Sequence, residues 1–469
     1  MFFMPFNLLG MWFRGLFSIA ILAGGIYLVS RWYDDSHVVE RIAVPGAMDE
    51  AREDDHPPGE RRHPASATVA VTSRRTFRFE PGWNRPTLEL SAALALLVWA
   101  TLGRLIGHGI SILTLRPGTT SPPSRDASSA REGGGSRRSQ RNRKRKARSR
   151  KRGDREWSVP ECDEDPSPER TGEAHVIRRS DGSELRVECH GPPDAPPIVW
   201  THGWGANSTE WYYQKRQLSQ RFRLIVWDEP GLGLSKKPDN DDYSLENLAA
   251  ALDAVLEFAG NRPAVLVGHS IGGMITLTYC EEYPQALGTR IAGLVLVHTT
   301  HTNPVRTTRM AWLLATLEKP VLIPLSYLTI GLWPLVWLMN WMSYFNGSAH
   351  RSTRNSSFAG NETWGQLDFV ARFMPHARPD VLARGMLGMI AYDATEVLSR
   401  IHVPTLVVVG DKDSTTTPEA GEFIASRIPG AKLVTLSPAK HMGLIEHHDQ
   451  FNQLVAEFVE ACEHQTVKR

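Results

Sequence analysis

One serine in this chain stands where a nucleophile would. Ala264 to Val267 is a short apolar run that reads as a buried strand, and Met274 to Cys280 reads as a helix. Between them lies Gly268-His269-Ser270-Ile271-Gly272-Gly273, a G-x-S-x-G turn passing from strand to helix. Side chains at Gly268 and Gly272 would collide with neighbouring backbone, and the strained turn lifts the Ser270 hydroxyl clear of the sheet edge. The helix behind it aims free N–H groups at developing negative charge. A serine needs a neutral imidazole to take its proton, and the imidazole needs a carboxylate to fix its tautomer. Two later strand exits supply both. Val407-Val408-Val409-Gly410-Asp411-Lys412-Asp413 offers two carboxylates, and Ser437-Pro438-Ala439-Lys440-His441 offers one histidine. His447 and His448 follow, but only His441 lies at the strand exit. Asp413 is the expected acid and Asp411 a turn residue, with Asp411 open as the alternative.

The elements that must position these groups alternate. Ala174–Arg178 and Glu184–Cys189 form an expected antiparallel hairpin through Ser180-Asp181-Gly182. Apolar strands at 197–200, 222–227, 264–267, 291–297, 404–409 and 432–436 then alternate with helical stretches, the last of them 444–462. That order predicts a mostly parallel sheet wrapped by helices, with active groups at the carboxyl ends of strands. One such end, His202-Gly203-Trp204, places the Trp204 N–H to join that of Ile271 as an oxyanion hole. Another, Asp228 to Ser235, reads as a supporting glycine loop.

With these residues in place, the chain resembles the α/β-hydrolase family over roughly residues 170–465. The resemblance rests on His202-Gly203, on Asp228 with Gly231-Leu232-Gly233-Leu234-Ser235, on the Gly268–Gly273 elbow, on Gly410 with Asp413, and on His441 with Glu446. It implies an α/β-hydrolase sheet flanked by helices, a helical cap inserted at about 302–400, and hydrolysis without metal or organic cofactor. Members that carry the acid one strand earlier would need it in His298-Thr299-Thr300-His301-Thr302, which has none. Relatives that open epoxides or remove halides carry Asp where this chain has Ser270. The usual arginine after Asp228 is Glu229-Pro230 here.

The rest of the 469 residues is unlike an enzyme body. Residues 1–30 are apolar apart from a few positions, Arg14 among them, and are expected to form a membrane-anchor helix, with no A-x-A-like cleavage site before Ser30. Residues 31–86 read as a disordered loop. Residues 87–115 read as a second hydrophobic helix, spanning or lying at the surface around Arg104 and His108. Residues 116–168 read as a basic linker before a hydrolase domain at 169–469. Twelve Lys/Arg lie between Arg137 and Arg155, leaving the remainder net acidic at 41 bases against 50 acids. The run fits positive-inside topology and anionic headgroups. A nucleic-acid arm is disfavoured, because no aromatic lies between Arg116 and Arg155. Four cysteines lack C-x-x-C spacing, which argues against a zinc site or a disulfide framework.

Within the cap, Trp333, Trp337, Trp341 and Phe345 recur every four residues as one aromatic stripe. Core packing, an acyl- or membrane-facing lid, and a span interrupted by prolines are its three readings. The expected function is a membrane-tethered serine hydrolase of esters with an apolar acyl part, its body on the cytoplasmic side. The alternatives are carbon–carbon hydrolysis or cofactor-free perhydrolysis by the same triad, and a catalytically silent scaffold.

Overall fold

The apolar opening of the chain forms helix α1, Met4–Asp35. The computed structural model describes residues 4–44, 70–77, 84–114 and 159–466, so the basic run Arg137–Arg155 lies outside the described residues. The chain divides into two units, Phe17–Gly103, and Met1–Leu16 with Arg104–Arg469.

The first unit holds α1 from Phe17 onward, β1, His37–Val44, β2, Ala70–Phe77, and the part of α2, Arg85–Thr114, that precedes Arg104. The two strands pair antiparallel, with His37 opposite Phe77 and Val44 opposite Ala70. The expectation of a disordered loop over 31–86 is therefore corrected at both of its ends. Valine, isoleucine and threonine favour extended backbone, and the register sets Glu40 opposite Arg74. The helices approach closely at Gly25, where an added Cβ would stand 2.9 Å from Leu97. Among the described residues, three helical stretches are long and apolar enough to cross a membrane: Leu9–Asp35, Arg85–Ile106 and Ala311–Gly331.

The second unit contains the sheet. Its elements in order are β3 (Glu173–Arg178), β4 (Glu184–His190), β5 (Pro197–Thr201), α3 (Tyr212–Leu218), β6 (Arg223–Trp227), α4 (Leu245–Ala259), β7 (Ala264–His269), α5 (Ile271–Glu282) and β8 (Ile291–Val297). After the cap come β9 (Thr405–Gly410), α12 (Pro418–Arg427), β10 (Lys432–Leu436), α13 (Gly443–Glu446) and α14 (His448–Thr466). The strand order is β10-β9-β8-β7-β5-β6-β4-β3. The β3–β4 and β4–β6 pairs are antiparallel and the others parallel, as the alternation of elements predicts. Strands β5, β7 and β9 are buried along their whole length, which is why they read as unbroken apolar runs. The closing helix expected over 444–462 is two helices broken at His447.

The body begins earlier than residue 169. Val159 N–H donates to Gln453, Cys162 is buried with its carbonyl bonded to His448, and Glu164 accepts from Tyr212 and Tyr213. The charged residues around Cys162 give this strap the composition of a linker.

The cap fills the interval between β8 and β9 with α6 (Ala311–Leu317), α7 (Ile323–Gly331), α8 (Trp333–Phe345), α9 (Ser348–Ser357), α10 (Trp364–His376) and α11 (Pro379–Ala391). Thr363 and Gln366 cap α10 reciprocally, satisfying two of its opening N–H groups. The buried side of α8 is Val336, Met339, Asn340, Ser343 and Tyr344. The aromatic stripe lies off that side, with Trp337 and Phe345 exposed, so core packing of the stripe is corrected. Instead Trp341 stacks on Phe345, and Trp333 lies under the Arg378 guanidinium.

Candidate active site

Local backbone chemistry builds the site first. Ser270 sits between β7 and α5 with φ of 55° and ψ of −116°, a left-handed conformation that a side chain rarely adopts. The turn closes because Cβ atoms at Gly268 and Gly272 would meet the carbonyls of Gly272 and Thr201. Thr299 donates to the Ser270 carbonyl at 2.6 Å, and the Ser270 N–H donates to Val297 O at 2.9 Å, fixing the turn against the neighbouring strand.

The three expected groups converge. His441 Nε2 lies 3.0 Å from Ser270 Oγ, and His441 Nδ1 lies 2.8 Å from Asp413 Oδ2. Ser270 and His441 have no exposed surface. Asp413 also accepts the Thr415 N–H at 2.8 Å and the Thr416 hydroxyl at 3.1 Å. Burial works against its charge, but the histidines at 441 and 298 outweigh it and hold the carboxyl well below the usual range. The His441 imidazole is drawn down to about 4 by burial, with Asp413 opposing, which leaves it neutral and able to accept at Nε2. Asp411 does different work. It accepts from Ser437 Oγ and Ala439 N–H, both at 2.8 Å, and so shapes the loop that carries His441.

Gly203 and Trp204 leave β5, whose Thr201 pairs with Gly268 of the elbow strand. His202 Nε2 accepts the Glu229 N–H at 3.0 Å while Nδ1 donates to Gly203 O at 2.9 Å, locking this loop with a neutral ring. Trp204 anchors to the cap through its indole N–H, which donates to Leu382 O on α11 at 3.1 Å. Ile271 opens α5, whose first N–H groups have no partner within the helix. Asp228 serves as scaffold, accepting from Ser208 N–H at 2.7 Å and Leu234 N–H at 2.8 Å. Glu446 ties the cap to the base loop by accepting from Ala359 and Asn361.

Two buried groups escape the sequence reading. Glu210 lies in a turn before α3. Its Oε2 accepts the Gly203 N–H at 2.8 Å, and its Oε1 is 3.0 Å from His269 Nδ1. His269 Nε2 in turn faces His441 O at 3.1 Å. The two His269 nitrogens thus face Glu210 and the His441 carbonyl, joining the oxyanion loop to the base loop. Burial opposes the Glu210 charge, yet His269 holds its carboxyl below the usual value. His298, with φ of 45°, sits 3.5 Å from Asp413. Neither spacing nor composition marks these residues, because their partners are remote in the chain. A cavity of about 230 Å³ lies between Gly205, Asn207 and Gly233 on one side and Phe369, Arg372, Phe373 and His376 of α10 on the other, and none of the relay residues lines it. No group of three or more His, Cys, Asp or Glu among the described residues could hold a metal ion.

The family described as alpha/beta hydrolase fold matches residues 196–319. The chain is 27% identical over 287 residues to a putative carbamate hydrolase, RutD, of Stutzerimonas stutzeri, covering 59% of this chain and 98% of that protein. It is 27% identical over 279 residues to a pimeloyl-[acyl-carrier protein] methyl ester esterase of Aeromonas salmonicida, covering 59% and 99%. A solved hydrolase from Pseudomonas aeruginosa PA01 superposes with a TM-score of 0.51 at 24% identity, covering 62% of this chain and 99% of that one. The fold is that of the α/β-hydrolases.

Proposed function

We propose that the chain is a membrane-tethered serine hydrolase that cleaves carboxylic esters with an apolar acyl part. The observation that carries the proposal is the buried relay from Asp413 through His441 to Ser270 on a strained elbow. Ser270 Oγ attacks the ester carbonyl carbon as its proton passes to His441 Nε2. The tetrahedral oxyanion is held by the Trp204 and Ile271 N–H groups. Collapse expels the alcohol, which takes the proton from His441. Water then attacks the acyl-serine with His441 again as base, releasing the carboxylic acid and restoring Ser270. The relay needs no metal or organic cofactor.

The apolar acyl preference rests on the apolar side chains of the cap that its own packing leaves uncovered and on the esterase among the relatives. Tethering rests on the two apolar stretches Leu9–Asp35 and Arg85–Ile106. As a helical pair they would keep the body on the cytoplasmic side, where Arg137–Arg155 would meet anionic headgroups. A fluorophosphonate probe applied to membranes holding the full chain should label the wild type and leave Ser270→Ala unlabelled. Labelling that survives the substitution overturns the assignment. Chain-length preference is then read from a series of p-nitrophenyl esters, where a preference for the shortest acyl group would remove the apolar-acyl reading.

A further inference from the structure

The cap carries an apolar surface that its own packing does not use. From Met310 to Phe345 there are two charged side chains, Glu318 and Lys319. Residues 311–331 run as α6, a π turn at Glu318–Leu322 and α7 in direct succession. Among the exposed positions along them, Trp312, Thr316, Pro320, Pro324, Tyr327 and Gly331 recur at helical spacing, with Ala315, Lys319 and Leu328 exposed beside them. They therefore form one stripe, while Leu314, Leu322, Ser326 and Thr329 turn inward. Trp312 is 74% exposed and Tyr327 is 63% exposed. On the next helix Leu335 and Leu338 continue the apolar surface at 43% and 54%. Exposure on this scale marks an interaction site rather than chance.

The occupant follows from what holds the cap. The start of α1 is packed into it: Met11 is buried against Val336, and Trp12 Nε1 donates to Thr329 Oγ1 at 3.0 Å. An added Cβ at Gly15 would collide with Met339. Arg14 donates to Ser352 Oγ at 2.7 Å and reaches Met374 Sδ at 3.1 Å. At the far end of α2, Arg104 donates to Asp368 at 2.9 Å and to Tyr344 OH at 3.0 Å. Asp368 is a hub that also takes donors from Tyr344, His350 and Arg372. Arg14 lies near the start of Leu9–Asp35, and Arg104 near the close of Arg85–Ile106. Guanidinium groups cost least at such ends, where hydrocarbon gives way to headgroups. Arg14 and Arg104, each near an end of a stretch apolar enough to cross a bilayer, are thus both bonded to the cap.

We propose that the exposed stripe of residues 311–331, with Leu335 and Leu338, seats in the interfacial layer of a phospholipid bilayer. Tryptophan and tyrosine favour that layer, with the ring in the apolar side and the N–H or O–H among headgroups. Lys319 is exposed next to the same stripe, where an ammonium could meet headgroups. A catalytic cap seated in lipid draws its ester from the bilayer plane instead of from water. The inference rests on the tethering reading above and adds the contact made by the cap itself.

The test uses the full chain reconstituted in phosphatidylcholine–phosphatidylglycerol vesicles. All four native cysteines are buried, so a single environment-sensitive fluorophore can be placed selectively on Trp312→Cys, Tyr327→Cys or Val176→Cys. Val176 is 50% exposed on β3 and serves as the aqueous reference. At 312 and 327 emission should shift to the blue and be quenched by nitroxide-bearing lipid, whereas at 176 it should be quenched by iodide alone. Chains retained through alkaline carbonate but showing 312 and 327 like 176 overturn the seating and leave tethering intact. Shielding from iodide without quenching by lipid nitroxide assigns the surface to a protein and also overturns it. Release by carbonate overturns tethering first and the seating with it.

Discussion

The loops around Ser270 and the cap with its attached helix ends are held by opposite means. At Ser270 the groups of the relay are buried and paired, and glycines stand where a single methyl group would collide with a carbonyl. At the cap, the contacts are side chains on helices, and an apolar stripe remains uncovered. The first kind of construction fixes atoms to tenths of an ångström, as proton transfer over 3.0 Å requires. The second fixes helices against one another and leaves a surface for something outside the chain. Substitutions around Ser270 should therefore act on rate, whatever they also do to stability, and those at the cap on stability alone.

The sharpest contrast lies within one loop. Asp413 and Asp411 are two residues apart, yet the first faces the His441 ring and the second the backbone that carries it. Asp413→Asn should lower kcat by about 10⁴, because the wrong tautomer then faces Ser270. Asp411→Asn keeps one acceptor oxygen and should cost far less. Steady-state kinetics on a soluble ester read both, and the reverse ranking would give the catalytic role to Asp411.

Glu210 tests whether the rear of the site matters as much as its front. Glu210→Gln takes the charge from a buried pair, and breaking such a pair typically costs about 3–5 kcal/mol, read from urea unfolding. It also loosens Gly203, next to the Trp204 N–H, so the loss in kcat should approach but not exceed the roughly 10²–10³ of a lost oxyanion donor. The pH profile separates positioning from simple destabilisation. His441 must be neutral to act, so activity falls as pH drops through its pKa, which lies near about 4. The His269 ring, held by Glu210 and 5.0 Å from His441, contributes to that lowering. Glu210→Gln weakens what holds that ring beside His441, so the lowering should lessen and the acid limb of kcat/KM move to higher pH. An unmoved limb alongside lost stability would reduce Glu210 to a packing role.

What could be read from the residues alone follows the same division. Strands β5, β7 and β9 announce themselves because both faces are buried, and the elbow does so because strain demands glycine at fixed offsets. His441 and Asp413 stand out by their place just beyond apolar runs. Glu210 and His298 are silent, since what makes them matter is a partner 59 or 115 residues away in the chain. The strands at 37–44 and 70–77 sit among mixed charges that hide their β-branched residues. In the cap, the recurrence of tryptophan correctly predicts a helix over 333–345, but the burying side belongs to Val336, Met339 and Ser343 instead. Periodicity finds the helix without saying which stripe the rest of the molecule will cover.

The smallest effect is expected at the cap's hub, and it bears on whether the two regions are energetically separate. Asp368→Asn would leave Arg104, Arg372 and His350 facing an amide in place of a charge that accepts from all three. These bonds are only partly shielded from water, so the loss should be that of a charge-assisted hydrogen bond, about 1.5–3 kcal/mol, and not that of a fully buried pair. Burial opposes the Asp368 charge, but bonds from His350, Tyr344 and Arg104 hold the carboxyl below its ordinary range, so the stabilisation is present at neutral pH and fades on acidification. The measurement is the urea midpoint of the two forms at neutral and acid pH, which should converge as Asp368 is protonated. Turnover of a short soluble ester should change far less than in Glu210→Gln, because Asp368 touches neither Ser270 nor the loops that hold it. A fall in turnover as deep as that of Glu210→Gln would mean that the cap and the relay form one cooperative structure, and the contrast between the two regions would dissolve.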